Sequence, residues 1–173
     1  MTSTHDQRRQ RAADLDPLHT RQTLDDKETR IAIAGHPIHA MLVAFPIALT
    51  VCTLGADVFY WWTGDAFWAR AGLWAIGMGF LMGLAAGVSG TVELLMVPGI
   101  RARAASWTHF TIAVALLSMM GANFGLRLTG FEQAILPWGI LLSALCLAFT
   151  GLTGWHGGKL VFDYQLGTVG KGS

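Results

Sequence analysis

The sequence predicts an all-α integral membrane protein, a four-helix up-down bundle preceded by a polar N-terminal tail. Composition is the first reason, because 53% of the 173 residues are hydrophobic and only 13% are charged, whereas soluble domains are typically about 25% charged. The second reason is the presence of four long apolar segments, each near or above the length of about 20 residues that crosses a lipid bilayer as a helix. Short connections require neighbouring helices to run antiparallel.

The residues before the first apolar segment form a polar tail. Charges of both signs alternate there, at Arg8, Arg9, Arg11, Asp14, Asp16, Asp25, Asp26, Lys27 and Glu28. A cleaved signal sequence needs an apolar core close to the N-terminus, and the first apolar run begins only near Ile31. We therefore expect a polar cytoplasmic tail over residues 1–34, a four-helix transmembrane domain over 35–160 and a short C-terminal tail over 161–173.

The four apolar segments cover residues 37–61, 69–97, 105–128 and 134–156. Pro37 and Pro137 suit the first turn of a helix, where a missing N–H has no helical partner to lose, and Pro98 stops the second helix. Pro46 lies inside the first segment, where it removes a backbone hydrogen bond and is expected to kink the helix.

Lysine and arginine fall mainly on one side of the predicted bundle. The side that holds both termini and the loop over residues 98–104 carries Arg21, Lys27, Arg30, Arg101, Arg103, Lys159 and Lys171. The opposite side carries only Arg70 and Arg127. Because basic residues are enriched in cytoplasmic loops, we expect a multi-pass protein with both termini in the cytoplasm.

Small residues line one face of the second helix. At about 100° per residue, this face holds Gly72, Gly79, Gly83, Ala86, Gly90 and Glu93. Close helix packing through small residues, as in the spacing of Gly79, Gly83 and Gly87, is the first explanation. Two other uses stay open: room for a flat cofactor against the backbone, and a homo-oligomer formed through this glycine face.

Four histidines outside the tail are predicted to gather at one end of the bundle. His36 and His39 begin helix one, His109 lies in the first turns of helix three, and His156 closes helix four. Since the helices alternate in direction, all four reach the cytoplasmic interface. Glu93, near the end of helix two, joins them there.

The same spacing recurs in helices one and three. Asp57 follows His39 by eighteen positions, and Arg127 follows His109 by eighteen. Eighteen residues is about five helical turns, so the members of each pair share a face. Because helices one and three run parallel, placing the two histidines level also places Asp57 level with Arg127. We expect these two charges to form an ion pair near the outer interface, since charges buried in membranes are usually paired.

Three hypotheses compete for the histidine cluster. In the first, imidazoles from two facing helices ligate haem b from both sides, with His39 and His109 as the preferred axial pair and His36 as the fallback. In the second, a non-haem metal such as Zn, Cu or Fe is bound by ligands drawn from His36, His39, His109, His156 and Glu93. In the third, the histidines only make hydrogen bonds with the backbone, Glu93 or lipid headgroups.

The function indicated first is electron transfer or partnership with a redox protein. A quinone that meets the haem near the interface would need no further catalytic residues, because the cofactors supply the chemistry. No phosphate-binding loop, nucleophile elbow or carboxylate dyad is present, so whether the chain is an enzyme stays open. The alternative is a cofactor-free membrane anchor or assembly subunit of a redox complex, with the charged tail docking a redox partner. The net charge of +1 gives no indication of a nucleic-acid partner.

The chain also resembles a known family, the uncharacterised bacterial four-helix membrane proteins called domain of unknown function 2231. The resemblance covers most of residues 35–169 and rests on Gly35-His36-Pro37-Ile38-His39, Leu42-Val43, Phe45-Pro46-Ile47-Ala48-Leu49, Asp57, His109, Gly154-Trp155, Gly157-Gly158 and Leu160-Val161. It implies a protein of the bacterial inner membrane, in a family sometimes linked to Rieske-type iron–sulfur domains. His156 stands where the family usually has an aliphatic residue.

Overall fold

Four long apolar helices make up most of the chain, which confirms the predicted all-α membrane bundle. The computed structural model describes residues 32–33 and 36–163. Each of the four helices is long and apolar enough to cross a membrane, and we call them spans 1 to 4: Ile38–Thr63, Ala66–Met96, Ala104–Leu128 and Ile135–Phe162. Nearly all of the predicted polar tail and most of the predicted C-terminal tail lie outside the described residues.

Span 1 contains a local irregularity at Val43, about one turn after it begins. Two short strands, Ala32–Ile33 and His36–Pro37, pair antiparallel just before it. A five-residue helix, Ile38–Leu42, then gives way at Val43 to the longer helix Ala44–Thr63. Pro46 explains the position of this irregularity. Proline has no N–H to donate to the carbonyl of Leu42, four residues earlier, and its ring crowds that carbonyl. The backbone at Val43 stays helical, with φ −64° and ψ −21°, so the predicted kink of this helix remains a prediction.

Span 2 begins earlier than residue 69, where the sequence pattern had indicated. Asp65 caps it at Ala66, since its carboxylate accepts a hydrogen bond of 2.9 Å from the backbone N–H of Phe67, the usual role of an aspartate before a helix. The span ends at Met96, and the next residue, Val97, is extended, as residues before a proline tend to be. A single helical turn, Pro98–Arg101, leads to span 3.

Span 4 begins within one residue of its predicted start and extends beyond its predicted end at residue 156. It starts with an irregular turn, Ile135–Gly139, in which Leu136 is extended ahead of Pro137, and continues as the regular helix Ile140–Phe162. The helix passes through Gly157 and Gly158 instead of ending at residue 156.

The spans pack in a ring, with span 2 against spans 1 and 3 and span 4 against spans 3 and 1. We call the end at which span 1 begins and span 4 finishes the terminal end, and the opposite end the loop end. The glycine face of span 2 is covered from within this ring. A Cβ on Gly79 would lie 3.1 Å from Met120 Cε and 3.2 Å from Leu49 Cβ, and one on Gly83 would lie 2.7 Å from Leu117 Cδ2.

This packing bears on the first explanation for the glycine face. Side chains of spans 1 and 3 of the same chain pack against its glycines, and a homo-oligomer through this face stays a prediction. The structure therefore agrees with the first explanation, close helix packing within the bundle. The absence of side chains lets span 2 approach both neighbours closely.

A buried polar network joins three spans near the loop end. Arg127 of span 3 donates from Nη1 to Asp57 Oδ1 at 2.8 Å and from Nη2 to Asp57 Oδ2 at 2.7 Å. Ser143 of span 4 donates to Asp57 Oδ2 at 2.6 Å and accepts from Nη2 of Arg127 at 3.1 Å. Asn123 accepts from Arg127 Nε at 2.9 Å and donates to Ser143 at 3.0 Å.

All four side chains of this network are buried, and their polar groups satisfy one another. The structure thus brings Asp57 and Arg127 together, as the eighteen-residue spacing predicts. Gly72 of span 2 gives the pair its room, because a Cβ there would lie 2.9 Å from Arg127 Nη1 and 3.2 Å from Asp57 Oδ1. All four spans therefore meet at this network.

Breaking the ion pair from one side is expected to destabilise the bundle. Asp57→Ala or Arg127→Ala leaves the other charge buried without its partner, which costs about 3–5 kcal/mol. Replacing both with apolar residues of similar size, Asp57→Leu with Arg127→Met, should cost less than either single change. Thermal unfolding in detergent, followed by circular dichroism, measures the differences. Single variants with the wild-type midpoint would contradict this role.

Candidate functional site

His39 is held against span 2 by its own hydrogen bond. Its Nδ1 lies 2.8 Å from the carbonyl oxygen of Ala86. A carbonyl can only accept, so Nδ1 carries the hydrogen, and in the neutral ring the free lone pair is on Nε2. The ring lies close to Gly90, where a Cβ would stand 2.8 Å from Cε1 and Nδ1 of the imidazole. The glycine of span 2 thus makes room for a histidine of span 1.

His109 comes from span 3 and packs against span 4. A Cβ on Gly157 would lie 3.1 Å from Cε1 of its ring, so here too a glycine admits an imidazole. Its Nδ1 is shielded from solvent and has no hydrogen-bond partner among the described residues. A backbone hydrogen bond with Thr153 of span 4 also involves this ring, so part of its bonding capacity is used within the bundle.

Two adjoining cavities share both imidazoles. The larger cavity, of about 450 Å³, extends from them between spans 2 and 3, and the smaller, of about 290 Å³, extends toward spans 1 and 4. Each is lined by His39 and His109 together with Gly87 and Leu117. Small-molecule and cofactor sites occupy about 300–1,000 Å³ and are mostly apolar with a few polar groups. The histidine pair therefore sits where a ligand has both space and polar partners.

The larger cavity contains two further polar residues. Glu93 of span 2 is buried in its wall, as the sequence pattern placed it, beside the two histidines. Ser106 of span 3 also lines it, and only 3% of this residue is exposed. Sequence analysis missed Ser106, although its position three residues before His109 puts both on one face of a helix.

The other predicted ligands are placed differently. His156 lies near the terminal end of span 4, lines neither cavity, and its Nδ1 is 3.0 Å from the carbonyl oxygen of Leu152 in its own helix. His36 lies in the short strand before span 1, and its side chain is not among those described. Within the part of the chain that the structure describes, no three His, Cys, Asp or Glu side chains come together as a metal-binding group.

Comparison with known proteins gives one finding. The family model for predicted membrane proteins named DUF2231 matches residues 35–170. No curated protein and no solved structure matches the chain.

The contact between Gly90 and His39 can be tested without a ligand. Gly90→Ala places a methyl group inside the contact distance of the imidazole, so we expect overpacking that costs about 1–3 kcal/mol and a weakened bond from Nδ1 to Ala86. Unfolding in detergent measures the first effect, and the nitrogen NMR signals of the histidine ring measure the second. Gly125→Ala is the matched control, since a Cβ there meets nothing within 4 Å. Equal behaviour of the two variants would refute the contact.

Proposed function

We propose that this chain, which belongs to the DUF2231 family of predicted membrane proteins, binds haem b between His39 and His109 and transfers electrons in the membrane. When bound, haem supplies one-electron chemistry, and the protein sets its potential through axial ligands, hydrogen bonds and the polarity of the pocket. The residues described above would hold the group, orient it and keep water from it.

The observation that carries the proposal is the pair of cavities on either side of the two imidazoles. A haem held by His39 and His109 would need space on both sides of the two imidazoles. The larger and smaller cavities offer such space, and both are lined by His39 and His109. Their shared wall includes Gly87, whose lack of a side chain suits a flat group.

The hydrogen bonding of the histidines also supports ligation. Metal-binding histidines usually donate their second ring N–H to a carbonyl or carboxylate, which fixes the ring and raises its basicity. His39 has this arrangement already, because Nδ1 donates to the carbonyl of Ala86 and Nε2 keeps its lone pair. His109 has a backbone hydrogen bond with Thr153 and a buried Nδ1 without a partner among the described residues, so the ring is held by span 4 and keeps one nitrogen for a further interaction.

Haem fits the described side chains better than a non-haem metal does. A zinc or non-haem iron site normally draws three or more ligands from the protein, and the described His, Cys, Asp and Glu side chains form no such group. Haem needs only axial ligands, because the porphyrin nitrogens fill the equatorial positions. Two imidazoles from different spans are then sufficient.

The distribution of basic residues supports one orientation in the membrane. Arg101, Arg103 and Lys159 lie at the terminal end, which supports a cytoplasmic position for that end and for the haem. A redox protein that docks on the cytoplasmic face, at the bacterial inner membrane, would be close to the site.

The visible absorption spectrum tests the proposal. Protein purified in detergent from cells supplied with a haem precursor should show a sharp Soret band that shifts on reduction. His39→Ala and His109→Ala should each lose the bis-histidine spectrum, because each removes one axial ligand. His156→Ala is the matched control and should keep it, since His156 lines neither cavity.

Three results would count against haem. One is a colourless protein that also fails to bind added haemin, and a second is an unchanged spectrum in both His39→Ala and His109→Ala. The third is equal loss of the spectrum in His156→Ala. A colourless protein that co-purifies with a redox subunit would favour the anchor function instead. Circular dichroism of each variant separates loss of a ligand from loss of the fold.

A further inference from the structure

The hydroxyl group of Ser106 is buried and has no hydrogen-bond partner among the described residues. Other hydroxyl groups of the same span behave differently, because Thr108, Thr111 and Ser118 each donate to the carbonyl four residues earlier in the helix. Ser106 stands in the first turn of span 3, where the carbonyl four residues before it belongs to the preceding loop. A buried hydroxyl without a hydrogen bond costs free energy in an apolar site. A ligand that accepts a hydrogen bond from Ser106 would remove this cost.

The larger cavity, which Ser106 lines, opens toward the lipid. Its wall includes Val88 of span 2 and Val114 of span 3, which are 65% and 46% exposed on the outside of the bundle. In a bilayer these side chains would face hydrocarbon. A molecule dissolved in the membrane can therefore enter between spans 2 and 3 without passing through water.

The residues around Ser106 select the kind of head group. Ser106, His109 and Phe110 occupy one face of span 3, at positions i, i+3 and i+4, and all three line the cavity. Phe110 offers an aromatic surface for a flat ring. Glu93 lies in the same wall, so an uncharged head group suits this site better than an anionic head such as that of a fatty acid, which would place a second carboxyl group in it.

We propose that the larger cavity binds a lipid-soluble quinone, with a ring carbonyl accepting a hydrogen bond from the hydroxyl of Ser106. The quinone ring lies against Phe110, and the tail leaves between Val88 and Val114. The proposed haem would take the part of this cavity next to the imidazoles, so the quinone head is confined to the part beside Ser106, which is nearly one helical turn closer to the terminal end than His109. The role of the quinone as electron partner rests on the proposed function, whereas its binding does not require haem.

Binding is measured with a short-chain quinone and the full protein in nanodiscs, with and without haem. Retention above that of empty nanodiscs of the same lipid should be saturable. Ser106→Ala should weaken it about fivefold to tenfold, the usual effect of losing one hydrogen bond. Val114→Trp should weaken it at least as much by filling the opening.

Matched controls exist for both changes. Ser118→Ala removes a hydroxyl of the same span that already has a partner, and Val51→Trp enlarges an exposed side chain of span 1 that lines neither cavity. Both should bind the quinone as the wild type does. Absence of saturable binding, equal affinity of Ser106→Ala and Ser118→Ala, or equally strong competition by oleate would overturn the proposal. A haem-free protein that retains the quinone would refute the haem and leave this site standing.

Discussion

Hydrogen bonding in the absence of water is the constraint on which this structure depends. A polar group inside a bilayer must find its partner within the protein or in a ligand, and the two ends of the bundle meet this requirement differently. Near the loop end, every polar side-chain atom of Asp57, Arg127, Asn123 and Ser143 has a partner within the group. At the terminal end, Ser106 and Nδ1 of His109 have no partner among the described residues. The first end is built for stability, and the second has bonding capacity left for a ligand.

The glycines of span 2 serve different purposes at different heights of the bundle. Gly72 leaves room for the ion pair, and Gly79 and Gly83 leave room for apolar side chains. Gly90 leaves room for the ring of His39. The same row of small residues thus serves packing over most of its length and site construction at its end. Gly83 and Gly87 border the cavities as well, so packing and ligand space are neighbouring uses of one helix face.

The membrane fold could be predicted from the sequence because apolar length and helical period are local properties. The meeting of Asp57 with Arg127 could be predicted too, since one eighteen-residue interval recurs in two parallel helices. The start of span 2 was misplaced because the cap at Asp65 is a single polar residue outside the apolar pattern. Ser106, Asn123 and Ser143 were missed because one hydroxyl or amide in an apolar run gives no periodic signal. Their importance depends on which side chains lie opposite, which only the three-dimensional packing determines.

Pro46 has no N–H to donate to the carbonyl of Leu42, in the turn of span 1 that follows His39. The imidazole of His39 is also held by a second helix, because its Nδ1 donates to the carbonyl of Ala86 and its ring lies against the position of Gly90 in span 2. Span 2 therefore shares in fixing the direction of a side chain that belongs to span 1, and a substitution at Gly90 acts on that side chain across the interface between the two helices.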